Sequence, residues 1–124
     1  MTNVFADQEK FMKACDQTVG EFNINQLNMY LGLIKEEGDE LAEAIRTQNK
    51  VETLDALLDI LVVTVGTLHS LGVDSEGAWN EVMRTNFAKI DPTTGKVSKR
   101  EDGKVLKPVG WVPPDLEPFV KKNV

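Results

Sequence analysis

Three features of the sequence predict an all-α fold. Apolar residues recur at spacings of three and four through most of the first ninety or so positions. Cap and stop residues divide those stretches into helix-length runs, and Pro and Gly crowd the chain after Asp91. The expected architecture is a four-helix-bundle type of domain spanning 1–91, with an irregular Pro/Gly-rich extension, 92–124, packed on the same domain.

The first helix runs from about Val4 to Cys15, with Phe5, Phe11, Met12 and Cys15 as its apolar members. Gly20 and the Asn23–Asn25 stretch break it. From about Asn25 to Gln48, Leu27, Tyr30, Leu33, Ile34, Leu41, Ala44 and Ile45 trace one face of an amphipathic helix. Asn49 and Lys50 form a short turn. A third helix then extends from about Val51 to Leu71 and stops at Gly72, the residue type best suited to the position after a helix end. Asp74 or Ser75 caps the fourth, which carries Ala78, Trp79, Val82, Met83, Phe87 and Ile90 before Pro92 ends it. Beyond Asp91, Lys96–Ser98 and Lys104–Leu106 flank a turn at Glu101–Gly103 and read as a small hairpin. Leu106, Val109, Trp111 and Leu116 give the extension enough apolar surface to lie against the helices.

Composition limits the function classes. The chain has 124 residues, one domain's worth, with 14 Lys and Arg against 20 Asp and Glu and a net charge of −6. A nucleic-acid partner needs the opposite surplus, so none is expected. No apolar run approaches the roughly 20 residues of a membrane span, and the start Met1-Thr2-Asn3-Val4 has no signal-sequence character, so a cytoplasmic protein without a membrane partner is expected. The single cysteine, Cys15, excludes an internal disulfide and a Cys-based zinc site.

The informative anomaly is polarity in the wrong place. The apolar stripe of the second helix passes over Glu37, with Glu40 one turn along beside it. The third helix has little polar face at all, yet it embeds Asp55 and Asp59 at i, i+4, with Glu52 on the same edge. Two antiparallel helices joined by a short turn aim Glu37, Glu40, Asp55 and Asp59 at one another. Such a group cannot stay ionised without a counter-charge. Lys35 and Arg46 are near but at other angles, so a hard divalent cation, Mg²⁺ or Mn²⁺, is the expected solution. A metal-loaded acidic pocket points to a phosphate ester or anhydride as substrate. A solvated helix face is the alternative for Glu36, Asp39 and Glu43, and a satisfied structural carboxylate the alternative for Asp59. The usual di-iron bundle site is excluded because His69, the one histidine, forms no Glu-x-x-His pair; it reads as a helix-end residue.

Glu37-x-x-Glu40, preceded by Glu36 and followed by acids on the next helix, resembles the MazG-like branch of the all-α NTP pyrophosphatases. That superfamily also contains dimeric dUTPases and phosphoribosyl-ATP pyrophosphohydrolase. The likeness continues through Leu54–Val63, Gly66-Thr67, Leu71–Asp74, Arg84–Lys89, Glu101–Lys107 and Pro113-Pro114, and is strongest to small phage and bacterial members. The superfamily pattern is E-x-x-E followed by E-x-x-D. Glu52-x-x-Asp55 fits the second part by letter. The aliphatic surroundings instead align its Asp with Asp59, leaving Ala56 where the Glu would stand and Asp55 as a substitute from one turn away.

The resemblance implies hydrolysis of a nucleoside triphosphate to the monophosphate and pyrophosphate, with purine deoxynucleotides such as dGTP favoured. It implies Mg²⁺ or Mn²⁺ on Glu37, Glu40, Asp55 and Asp59, and catalytic roles for Glu36, Glu37, Glu40 and Asp59. The attacking water would be oriented by the metal or by Glu36. Asn86, Lys89 and Arg84 would hold phosphates, Lys104 and Trp111 would close over the nucleotide, and Asn28 would read base or sugar. For the Arg84–Lys89 cluster a solvated helix end is the alternative, and for Trp111 packing on the bundle. A third helix apolar nearly all round implies a homodimer or homotetramer, as the superfamily also assembles. Two other functions stay open: a non-enzymatic helical regulatory oligomer that kept the fold, and phosphoribosyl-ATP hydrolysis.

Overall fold

A computed structural model describes residues 3–120. Four long helices each begin on an Asn or Asp whose side-chain oxygen accepts a backbone N–H of the first turn. Asn3 starts α1 (Val4–Ala14), Asn23 starts α2 (Ile24–Arg46), Asn49 starts α3 (Lys50–Leu71) and Asp74 starts α4 (Ser75–Phe87). A single turn, α5 (Glu117–Val120), follows near the end. No β-strand occurs among the described residues, so the fold is all-helical.

Two helices end earlier than their apolar periodicity predicts. α2 stops at Arg46 because Gln48 takes a left-handed conformation, φ 55°, and Asn49 N–H turns back to Ala44 O at 2.9 Å. α4 stops at Phe87, where Lys89 and Ile90 bond three residues back, to Asn86 O and Phe87 O. Ile90 then leaves the helix and forms an isolated antiparallel bridge with Val97. The expected hairpin is likewise reduced to one bridge, Lys99 to Val105, without strands. Gly72 ends α3 in the left-handed region at φ 79°, where a Cβ would also lie 2.5 Å from the Phe22 backbone nitrogen.

α2 packs along α3, and α1 packs on α3. Met12, Tyr30 and Val63 form the buried centre, with Val19, Leu33 and Ile34 against it. The α2–α3 register is set at Gly66, where a Cβ would stand 2.4 Å from Tyr30 Cε1, so only glycine admits the ring. His69 is buried rather than a free helix end, and its Nε2–H donates to Phe5 O at 2.8 Å, tying α3 to α1.

α4 bends away from α3 by 115° instead of lying alongside it. The residues after α4 return along that helix. Trp111 Nε1–H donates to Thr85 O at 2.7 Å, Asp115 N–H to Glu81 Oε2 at 2.8 Å, and Asp74 N–H to Phe119 O at 3.0 Å. A row on α3, Leu54, Leu57, Leu58, Leu61 and Val62, is exposed in the single chain, Leu54 to 59%. No single described helix is long and apolar enough to cross a membrane.

Candidate active site

The register that places Tyr30 on Gly66 also places the acids. Two turns further along α2 from Tyr30 is Glu37, and two turns back along α3 from Gly66 is Asp59, so the antiparallel pair sets these two carboxylates face to face. Glu40, one turn on from Glu37, completes the group. One oxygen from each of Glu37, Glu40 and Asp59 lies within 4.8 Å of the other two.

Glu37 is the strained member. Its Oε2 is buried and has no hydrogen-bond partner among the described residues. Desolvation pushes its carboxyl above the ordinary value of 4.5. A hydrogen bond shared with Glu40 and the charges of Glu40, Asp59 and Asp55 push the same way. The nearest cations on α2 are engaged elsewhere. Lys35 Nζ is 3.4 Å from Asp39, and Arg46 Nε donates to Glu43 at 2.9 Å. Three carboxylates meeting around an orphaned oxygen, with no cation of the protein among them, form a donor set that fits a hard divalent ion.

By the same register, Ala56 on α3 stands opposite Glu40, and it is buried. The fourth corner of the site is therefore a methyl group. Asp55, next to it, is exposed and stays outside the tight trio. With Glu40, Glu43, Thr47, Glu52 and Ala56 it lines an adjoining hollow of about 290 Å³. Glu36 is exposed beside Glu37 and is not brought into the trio.

The other candidates are not part of the acidic trio. Asn28 is exposed, and nine residues before Glu37 it projects from the opposite side of α2 rather than along the stripe that carries the acids. Arg84 is held by Glu81 through two bonds of 2.7 and 2.9 Å, and that guanidinium lowers the Glu81 carboxyl to about 2. Asn86 Oδ1 accepts from Lys89 Nζ at 3.1 Å. Lys104 is exposed, its N–H donating to Asp102 Oδ1 at 3.1 Å. Trp111 is half-buried, with Lys89 Nζ 5.2 Å and Lys107 Nζ 4.9 Å from its ring centre. Lys107 closes the Glu101–Lys107 segment that carries the resemblance, yet only Lys104 of that segment is expected at the site.

Residues 7–86 match the family model described as phosphoribosyl-ATP pyrophosphohydrolase. The chain belongs to this family. The matched stretch contains the acidic trio, the acids of the adjoining hollow and most of the four long helices, and it places the chain in the MazG-like all-helical NTP pyrophosphatase superfamily. Members of the phosphoribosyl-ATP pyrophosphohydrolase family are hydrolases of phosphoric anhydrides, commonly with divalent metals, and the acidic trio is where this chain can hold one. Among curated proteins none matches the chain.

Proposed function

We propose that this chain is a Mg²⁺- or Mn²⁺-dependent nucleoside triphosphate pyrophosphohydrolase, cleaving the α–β anhydride of a purine deoxynucleotide such as dGTP. The observation that carries the reading is the meeting of Glu37, Glu40 and Asp59 around the unpartnered Glu37 Oε2. Glu37, Glu40 and Asp59 would hold the ion, with Asp55 available from the adjoining hollow. When bound, the ion supplies the positive charge that offsets charge developing on the phosphate oxygens. Glu36, exposed beside Glu37, would orient the attacking water and take its proton. As the water oxygen bonds to phosphorus, the bridging oxygen bond breaks and pyrophosphate leaves. Asn86 and Lys89 would hold the outer phosphates, and Lys104 and Trp111 would cover the nucleotide. Arg84 joins them only by giving up Glu81.

The exposed α3 row, Leu54 to Val62, supports a homodimer or homotetramer, since a second copy would remove that apolar surface from water. Localisation in the cytoplasm accords with this soluble substrate class. A second reading, phosphoribosyl-ATP hydrolysis, is favoured by the family match itself.

One assay separates them. Purified protein is incubated with each NTP, each dNTP and phosphoribosyl-ATP, with Mg²⁺ or Mn²⁺, and pyrophosphate is measured. Release from a purine dNTP, abolished by Glu40→Gln and Asp59→Asn, supports the first reading. Release from phosphoribosyl-ATP alone supports the second. No release from any of them leaves the non-enzymatic oligomer.

A further inference from the structure

The end of α4 and the returning C-terminal segment enclose a hollow of about 410 Å³, walled by Ile90, Pro92, Leu106 and Val109, with Lys89 and Lys107 on its lining. We propose that this hollow is a polyphosphate-binding site in which Lys89 and Lys107, both beside the Trp111 ring, grip the anion.

Four observations support this. Both ammonium groups lie about 5 Å from one indole ring, 5.2 Å for Lys89 and 4.9 Å for Lys107, so two like charges stand no more than about 10 Å apart. Among the described residues neither lysine forms an ion pair; Lys89 has only the neutral Asn86 Oδ1 at 3.1 Å. Asp91 also lines the hollow, but its Oδ1 accepts from Thr93 N–H at 2.8 Å, and it pairs with neither lysine. Lastly, the indole is fixed, because its Nε1–H is bound to Thr85 O at 2.7 Å.

That last bond also removes an objection. A helix C-terminus normally repels anions through its unpaired carbonyls. Here the last four are all occupied: Arg84 O by Ala88 N–H, Thr85 O by the indole, Asn86 O by Lys89 N–H and Phe87 O by Ile90 N–H. The negative end of α4 is covered, and the two ammonium groups dominate the local field. Charge along the chain is also segregated. Residues 89–107 hold six Lys and Arg against three Asp and Glu, in a protein whose net charge is −6. So small a positive island on an acidic protein suits a compact multivalent anion better than a nucleic-acid backbone. Two cations set around one ring suit linked phosphates better than a lone carboxylate.

Pyrophosphate as the anion rests on the hydrolase reading, whose product it is; the cationic site itself does not. The test titrates inorganic pyrophosphate, with chelator and no divalent metal, into full-length protein carrying Trp79→Phe, which leaves Trp111 as the one fluorescent indole. A saturable change in Trp111 emission is expected, weakened about tenfold by Lys107→Met and by Lys89→Met, and largely restored by Lys107→Arg. Circular dichroism verifies that the variants remain folded, and Lys107 is exposed, so folding should not be affected. If Lys107→Met raises KM for the nucleotide by the same factor, the anion is the substrate's own phosphate chain. If only pyrophosphate binding weakens, the site takes the free anion. No saturable signal, or equal affinity in Lys107→Met, overturns the proposal. Nucleotide hydrolysis with no pyrophosphate site removes this inference and leaves the hydrolase. Lys107-dependent pyrophosphate binding without hydrolysis does the reverse.

Discussion

Asp59→Asn separates a metal site from a structural acid cluster. The trio places three carboxylate oxygens within 4.8 Å of one another, so removing one negative charge relieves the metal-free protein and weakens its hold on a cation. An ion present at about 100 times its Kd stabilises the folded state by roughly 2.7 kcal/mol. Unfolding entropy of about 2.1 cal/mol/K per residue makes 1 kcal/mol worth about 4 °C in a chain of 124 residues. Wild type should therefore gain about 10 °C in Tm at that concentration of Mn²⁺. If losing one of three ligands weakens binding about a hundredfold, the variant at the same concentration keeps about 0.4 kcal/mol, or about 2 °C. Scanning calorimetry with chelator and then with Mn²⁺ reads both numbers. The metal-free Tm of the variant should equal or exceed that of wild type. A full 10 °C rise in Asp59→Asn, or no rise in wild type at millimolar Mn²⁺, refutes the reasoning.

Three further outcomes follow from named contacts. Glu37 has a folded pKa raised above 4.5, so the folded metal-free protein keeps a proton that the unfolded chain has lost; its stability should fall as pH rises from 4.5 through the raised value. Calorimetry across that range should show the slope, and Glu37→Gln should flatten it. Glu81 is the opposite case: its carboxyl is lowered to about 2, so its contribution is present above the ordinary 4.5 and lost as pH falls toward 2. Glu81→Gln should therefore speed amide exchange around Asp115, and unchanged exchange would show that the bond to Asp115 N–H holds nothing in place. Gly66→Ala would put a methyl 2.4 Å from Tyr30 Cε1, and overpacking of that kind costs about 1–3 kcal/mol, read as a Tm drop of roughly 4–12 °C.

The helices were legible because their signals are local. Asp74 caps α4 where a cap residue stands in the sequence, Gly72 stops α3, and the three-and-four spacing in α2 marks its buried side, whereas Asn49, expected in a turn with Lys50, caps α3 and Lys50 begins it. The acids were legible for a related reason: a carboxylate on an apolar stripe conflicts with its surroundings, and Glu37 shows that conflict as a buried, unpartnered oxygen. What the sequence did not reveal depends on contacts distant along the chain or on backbone choices without a side-chain signature. Gln48 enters the left-handed region, which glycine usually marks, so α2 ended sooner than its pattern. Arg84, a phosphate ligand by the resemblance, is held instead by Glu81 three residues back on the same helix face. The 115° departure of α4 follows the Gly72 turn, whose direction no periodicity encodes. Lys107 meets Lys89 only because Trp111 folds back onto Thr85.

Anomalous diffraction from crystals of the substrate-free protein soaked in Mn²⁺ tests the central claim most directly. The account predicts a manganese peak bonded to carboxylate oxygens of Glu37, Glu40 and Asp59. A well-ordered trio with no peak among its oxygens, or manganese bound only elsewhere on the chain, would contradict it.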